Sequence, residues 1–174
     1  MALKQSQLLV VSCGLGLQAA ILVLLNAFVP KLAGTDAIWI AFQAWAVYFL
    51  AGCNLMGGIK SFIGYATGIA ASIAIIELMG APGISKLPMA GGMNLAMAVA
   101  VFIVVIPAIM SENLKNMVPA LFIGSGAFFG LSGLMPDAGH VAVTRVELVY
   151  CAFGLLFGFI TVFWRGKYEA SLNK

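Results

Sequence analysis

The chain alternates between long apolar stretches and short stretches that carry glycine, proline or charge. Six apolar stretches stand out, at about 7–29, 37–53, 61–79, 93–110, 117–134 and 142–164. Each is close to the roughly 20 residues that a helix needs to cross a bilayer, and the second, fourth and fifth are the shortest. The pattern predicts one all-α integral membrane domain of about six transmembrane helices.

The intervening segments predict turns. Segment 80–92 is the most loop-like, with two prolines and four glycines. Pro119 suits the first turn of the fifth helix. Segment 54–60, which contains Gly57 and Gly58, separates the second and third spans. The sequence leaves open whether this break is a cytoplasmic turn or a re-entrant segment.

The basic residues predict the orientation. With six spans both termini lie on one side, and that side receives Lys4, Lys60, Lys115, Arg165, Lys167 and Lys174. The other side receives Lys31, Lys86 and Arg145. The bias places both termini in the cytoplasm. The first stretch would measure about 33 Å as a helix, which favours a full span over a signal-peptide core.

Composition narrows the class of protein. The chain is 63% hydrophobic and 9% charged, whereas a soluble domain carries about 25% charged residues. The net charge of +3 comes from scattered basic residues, which argues against a nucleic-acid partner. Cys13, Cys53 and Cys151 have no metal-ligand spacing, and His140 is the only histidine. We therefore expect free thiols, no metal and no cofactor.

The second and fifth apolar stretches resemble each other. Each has an aromatic residue, an aromatic pair six residues on, and a closing Leu-Met, at Phe42, Tyr48-Phe49 and Leu55-Met56 and at Phe122, Phe128-Phe129 and Leu134-Met135. These stretches are second in each half of a six-span chain and would cross in opposite directions. A 3+3 inverted repeat, common in transporters, explains the likeness; chance similarity of two apolar helices is the alternative.

The same stretches carry a family resemblance. Residues 48–52, the following Gly-Gly-Ile-Lys at 57–60, and residues 118–124 leading to Phe128 are similar to a family of small bacterial inner-membrane proteins. That family is catalogued as domain of unknown function 1097. The resemblance implies a multi-span fold in the bacterial inner membrane, and it carries no substrate, catalytic residue or binding residue with it.

Aromatic side chains are the candidates for a solute pathway. Phe42, Trp45 and Tyr48 lie on roughly one helical face, as do Phe122 and Phe129. Opposed rings could form a constriction that passes small neutral molecules and excludes hydrated ions. The predicted pore-lining residues are Phe42, Gln43, Trp45, Tyr48, Phe49, Phe122, Ser125, Phe128 and Phe129. The alternative is that these rings fill the core or face lipid.

Ionisable residues within spans are costly, so each is a functional candidate. Glu77 and Arg145 are both expected near the outer face, where they would form a charged vestibule or a structural staple between two helices. The alternative is that the two side chains extend separately to the membrane interface. Glu147 lies two residues from Arg145, so one helix face does not present both. We expect Glu147 to contact a neighbouring subunit.

These features favour a channel or facilitator for a small, mainly neutral solute, assembled as a homo-oligomer in the lipid bilayer. Urea-like or amide-like molecules, ammonia and weak acids fit. A non-transporting scaffold or accessory subunit is the alternative, and an ion-coupled secondary transporter is the third reading. An enzyme is not expected, because the sequence contains no nucleophile-and-base constellation and no phosphate-binding loop.

Overall fold

The computed structural model describes residues 4–90, 93–111 and 117–172. Lys115 and Lys174, used above for the orientation, lie outside them. The described chain forms seven helices: α1 (Gln5–Leu25), α2 (Val29–Ala33), α3 (Ile38–Leu50), α4 (Leu55–Met79), α5 (Leu95–Met110), α6 (Val118–Leu134) and α7 (His140–Ser171). Two-residue strands β1 (Met89–Ala90) and β2 (Met93–Asn94) pair antiparallel before α5. The all-helical class predicted from the apolar pattern is confirmed.

The helices other than the short α2 fall into two length classes. By length and composition, α1, α4 and α7 can cross a membrane, with 21, 25 and 32 residues. The apolar helices α3, α5 and α6 have 13, 16 and 17 residues. These measure about 20–26 Å, less than the roughly 30 Å of a bilayer's hydrocarbon core. The last predicted span, 142–164, begins two residues late and ends seven residues early, and the second, 37–53, is four residues too long.

The end of the first predicted span is also different from expectation. Helix α1 ends at Leu25, and a separate short helix, α2, follows and ends at Ala33, with Gly34 as its C-cap. Gly34 has φ of 112°, a left-handed conformation that glycine adopts without strain. The carboxylate Oδ1 of Asp36 then accepts a hydrogen bond of 3.1 Å from the backbone N–H of Ile38, at the start of α3.

The predicted break between the second and third spans is present, but it lies at 51–54 and not at 54–60. Helix α4 begins at Leu55, because the Asn54 side chain accepts a hydrogen bond of 2.8 Å from the backbone N–H of Gly57. A Cβ at Gly57 would collide with the carbonyl oxygen of Ala51, and one at Gly58 would lie 2.9 Å from the Tyr48 ring. The two glycines therefore permit a tight turn between α3 and α4 and do not interrupt a helix.

Two helix pairs form the centre of the bundle. Helix α3 packs along α7, and helix α6 packs along α4. A Cβ at Gly154 would collide with the Ala41 carbonyl oxygen, and one at Gly68 with the Leu121 carbonyl oxygen. Small residues of this kind let two helix backbones touch and pack by van der Waals contact. We refer to these units as the α3–α7 pair and the α4–α6 pair.

The contacts set the directions of the helices. In the α3–α7 pair, Ala41 meets Gly154 and Tyr48 meets Gly158, so the two helices run parallel. In the α4–α6 pair, Leu121 meets Gly68 and Ser125 bonds Ser72, which again gives a parallel arrangement. The two pairs are antiparallel to each other, because the start of α7 lies beside the end of α4. Helix α1 lies outside, against α7.

We expect Gly154→Ala to destabilise the protein, because the added methyl group has no room beside the Ala41 carbonyl. Overpacking of this kind costs about 1–3 kcal/mol. Thermal unfolding in detergent, followed by circular dichroism, measures the change. Gly126→Ala is the matched control, since a Cβ there meets no atom within 4 Å. Equal unfolding temperatures for the two variants would contradict the packing described.

Candidate functional site

The residues predicted to line a pore do not converge on one passage. Trp45, Tyr48 and Phe128 are buried in the bundle. Phe42, Gln43, Phe49 and Phe122 are exposed on its outer surface, and Ser125 and Phe129 are half-buried. Their helices, α3 and α6, belong to different pairs and share only a small contact. Within one described chain, these rings therefore do not surround a common constriction.

The predicted vestibule residues Glu77 and Arg145 bind other groups and not each other. The Oε1 atom of Glu77 lies 3.3 Å from Nε2 of His140, where α4 meets the start of α7. The Nε–H of Arg145 donates a hydrogen bond of 3.1 Å to the carbonyl oxygen of Ala33 in α2. The expected Glu77–Arg145 staple is therefore wrong. Glu77 instead joins the end of α4 to the start of α7, and Arg145 joins α7 to the end of α2.

Glu147 occupies a position that the sequence analysis did not foresee. Its side chain is 0% exposed within a single chain, so the expected contact with a neighbouring subunit is wrong. Neither carboxyl oxygen has a hydrogen-bond partner among the described residues. The Tyr65 hydroxyl of α4 is likewise buried without one. Tyr65, Cys151 and Glu147 are close enough to interact electrostatically.

A signal for this burial was present in the sequence. Glu147, Cys151, Gly154 and Gly158 are spaced by four, three and four residues, so they lie on one face of α7. The glycines mark the face that packs against other helices. A carboxyl on that same stripe points into the bundle, whereas Arg145 lies off the stripe and is exposed.

A second polar group links three helices. The indole N–H of Trp45 in α3 donates a hydrogen bond of 3.0 Å to Thr161 Oγ1 in α7. That hydroxyl lies 2.6 Å from Gln18 Oε1 in α1 and donates to it. Trp45, predicted to line a pore, is thus fixed in the core. Beside this chain of hydrogen bonds lies a cavity of about 330 Å³, whose lining includes Phe49, Thr161 and Arg165.

A third polar group joins the segment between α1 and α3 to α7. The Tyr150 hydroxyl donates a hydrogen bond of 2.9 Å to Asn26 Oδ1. The amide of Asn26 in turn donates one of 3.0 Å to Asp36 Oδ1. These groups satisfy one another, which is what buried polar side chains require. Among the described residues, the buried side-chain atoms without a hydrogen-bond partner belong to Tyr65, Ser132 and Glu147, and of these only Tyr65 and Glu147 are titratable.

Thr161→Val removes the hydroxyl and keeps the side-chain shape, so Trp45 and Gln18 lose their shared partner. We expect a loss of about 1–3 kcal/mol of stability, the cost of leaving buried polar groups unpaired. Thr67→Val is the control, because the Thr67 hydroxyl bonds only the Ile63 carbonyl of its own helix. Thermal unfolding and tryptophan fluorescence measure both. A similar small effect in the two variants would refute the linking role.

Comparison with known proteins identifies the family. The chain matches the model of the family described as "Protein of unknown function (DUF1097)" over residues 16–164. No curated protein and no solved structure matches it. The matched region includes the second half of α1, the whole of α2 to α6 and most of α7. The resemblance noted in the two apolar stretches is confirmed, and the chain belongs to the DUF1097 family.

Proposed function

We propose that the chain is a multi-pass protein of the bacterial inner membrane with six spans and both termini in the cytoplasm. Three long apolar helices and three shorter ones support this proposal. So does the end of α7, where Arg165 and Lys167 follow the apolar stretch and Lys167 Nζ lies 4.3 Å from the Phe163 ring centre. Basic residues at a span end are typical of the cytoplasmic side.

We propose further that the six helices form a 3+3 inverted repeat. Such a repeat exchanges the second span with the fifth and the third with the sixth. In this chain α3 then corresponds to α6, and α4 corresponds to α7. The α3–α7 pair therefore corresponds to the α6–α4 pair, and these are the two principal pairs of the bundle. Both pairs are parallel and opposite in direction to each other, as the exchange requires.

Burial supports the same exchange. When residue numbers are shifted by 86, nine of the ten buried positions of α7 fall on buried positions of α4. A shift of 80 places five of the six buried positions of α3 on buried positions of α6. The shift of 80 also aligns the aromatic residues of the two stretches. The agreement extends to single contacts, since Ala41–Gly154 corresponds to Leu121–Gly68.

The proposed activity is transport of a small, mainly neutral solute. The observation that supports this activity is that the proposed repeat relates the packing of the α3–α7 pair to the packing of the α4–α6 pair. Inverted repeats build transport sites where their two halves meet. The predicted pore residues are divided between the core and the outer surface of the bundle, so we propose movement of one pair against the other rather than a fixed aromatic pore. Amides, ammonia and weak acids remain the proposed solutes.

An accessory subunit is a second candidate, and one observation favours it. Helix α1 buries only Val11 and Leu22, so most of its surface is open to lipid, to a second copy or to another membrane protein. A partner helix that packs there would give this protein a role without transport. The transport assay below separates the two candidates.

We expect purified protein in liposomes to speed solute-driven swelling for at least one of urea, formamide, ammonia or acetate, relative to empty vesicles. If no member of this panel enters faster, the transport proposal is wrong and the accessory role gains support. Light scattering after rapid mixing measures the rate.

The proposed movement of one helix pair against the other can be tested with a reversible cross-link between them. Glu77→Cys combined with His140→Cys places one thiol at the end of α4 and one at the start of α7, across the two helix pairs. A bis-maleimide reagent that contains a reducible disulfide joins the two thiols, and the exposed Cys13 and Cys53 are replaced by serine to prevent other cross-links. Cross-linking should stop transport, and reduction of the reagent should restore it. Each single-cysteine variant should keep its transport after treatment with the reagent; unchanged transport in the cross-linked double variant would exclude movement at this seam.

A further inference from the structure

Glu147 lies inside the bundle and away from the helix ends. It is about 10 Å along α7 from His140, and Tyr65 is about 15 Å along α4 from Leu55. The carboxyl belongs to the α3–α7 pair, and the Tyr65 hydroxyl belongs to the α4–α6 pair. The site therefore lies between the two helix pairs that we propose to move. A transport role for this site rests on that proposed function.

Among the residues that the structure describes, no cation lies beside the carboxyl to neutralise it. Tyr65 on α4 and Cys151 on α7 are the titratable groups that interact with Glu147. Helix α6 has no titratable side chain. The remaining titratable residues on the other helices packed against α7 are Cys13, Lys31, Tyr48, Lys60 and Glu77, and all but Tyr48 are exposed. Arg145 is directed at the Ala33 carbonyl instead.

A carboxylate that is buried without a hydrogen bond or a counter-ion is strongly disfavoured. Binding a proton removes the charge. A metal cation is the other way to neutralise the site, but hard cations require several oxygen ligands. The described residues place no three His, Cys, Asp or Glu side chains together, and Tyr65 supplies only one further oxygen. The site therefore fits a proton and not a metal ion.

We propose that Glu147 is a proton-binding group between the two helix pairs, and that this proton is the ion coupled to transport. The carboxylate takes a proton from hydronium on the side to which the site opens, which leaves water. After the pairs move, the carboxyl returns the proton to water on the opposite side. The Tyr65 hydroxyl stabilises the charged form by donating a hydrogen bond while the site is open. No electron is transferred.

Infrared difference spectroscopy of the full-length protein in liposomes tests the proton site without any solute. As pH is stepped from mildly acidic to mildly alkaline, the wild type should lose the carbonyl band of a protonated carboxyl group. Glu147→Gln should lack this band, and Glu77→Gln should keep it because Glu77 is exposed. Glu147→Asp retains a carboxyl and should shift the band. Identical spectra for wild type and Glu147→Gln would overturn the proposal.

The coupling role has its own readout. For the solute that the swelling panel identifies, an inwardly directed proton gradient (outside more acidic) should accelerate uptake several-fold in the wild type. The same gradient should not change uptake by Glu147→Gln. Wild-type uptake that ignores the gradient would overturn coupling. If the wild type moves no solute, the transport proposal fails, while the infrared band still decides whether Glu147 binds a proton.

Discussion

Direct contact between helix backbones is the constraint on which the rest of this bundle depends. Apolar side chains gain little by leaving lipid for each other, so association relies on close packing and on bonds between helices. Gly154 and Gly68 provide that packing, each against a carbonyl oxygen of a shorter helix. Because the short helices are held in this way, α3 and α6 keep fixed positions along α7 and α4. Those positions bring Trp45 to Thr161 and Ser125 to Ser72.

The interior polar groups differ in how well they are satisfied. Thr161 joins three helices, and Ser72 bonds Ser125 at 2.7 Å within the α4–α6 pair. Those bonds stabilise the pairs and the attachment of α1. Glu147 and Tyr65 face each other's helices without a partner. Evolution rarely leaves an ionisable group unsatisfied in an apolar interior without a use for it, which is why the seam between the pairs is the functional centre of our proposals.

The hydrophobic pattern predicts the number of apolar helices and the position of Pro119 in the first turn of α6, because both follow from local rules. It does not predict that Gly57 and Gly58 lie inside α4, since glycine serves equally as a helix breaker and as a contact point. It also cannot give the partners of Glu77 and Arg145, which depend on how helices far apart in the chain meet. The direction of Glu147 was predictable only after the glycine stripe on α7 was recognised as a packing face.

The unequal helix lengths bear on the surrounding lipid. Helices α3, α5 and α6 are shorter than a typical hydrocarbon core, whereas α4 and α7 are long enough to tilt within it. Lipid next to the short helices would have to thin, or polar headgroups and water would have to dip towards their ends. The energetic penalty grows with acyl-chain length. Bilayer thickness would therefore favour some arrangements of these helices over others, and a membrane of changing composition would alter the balance between the conformations that we propose.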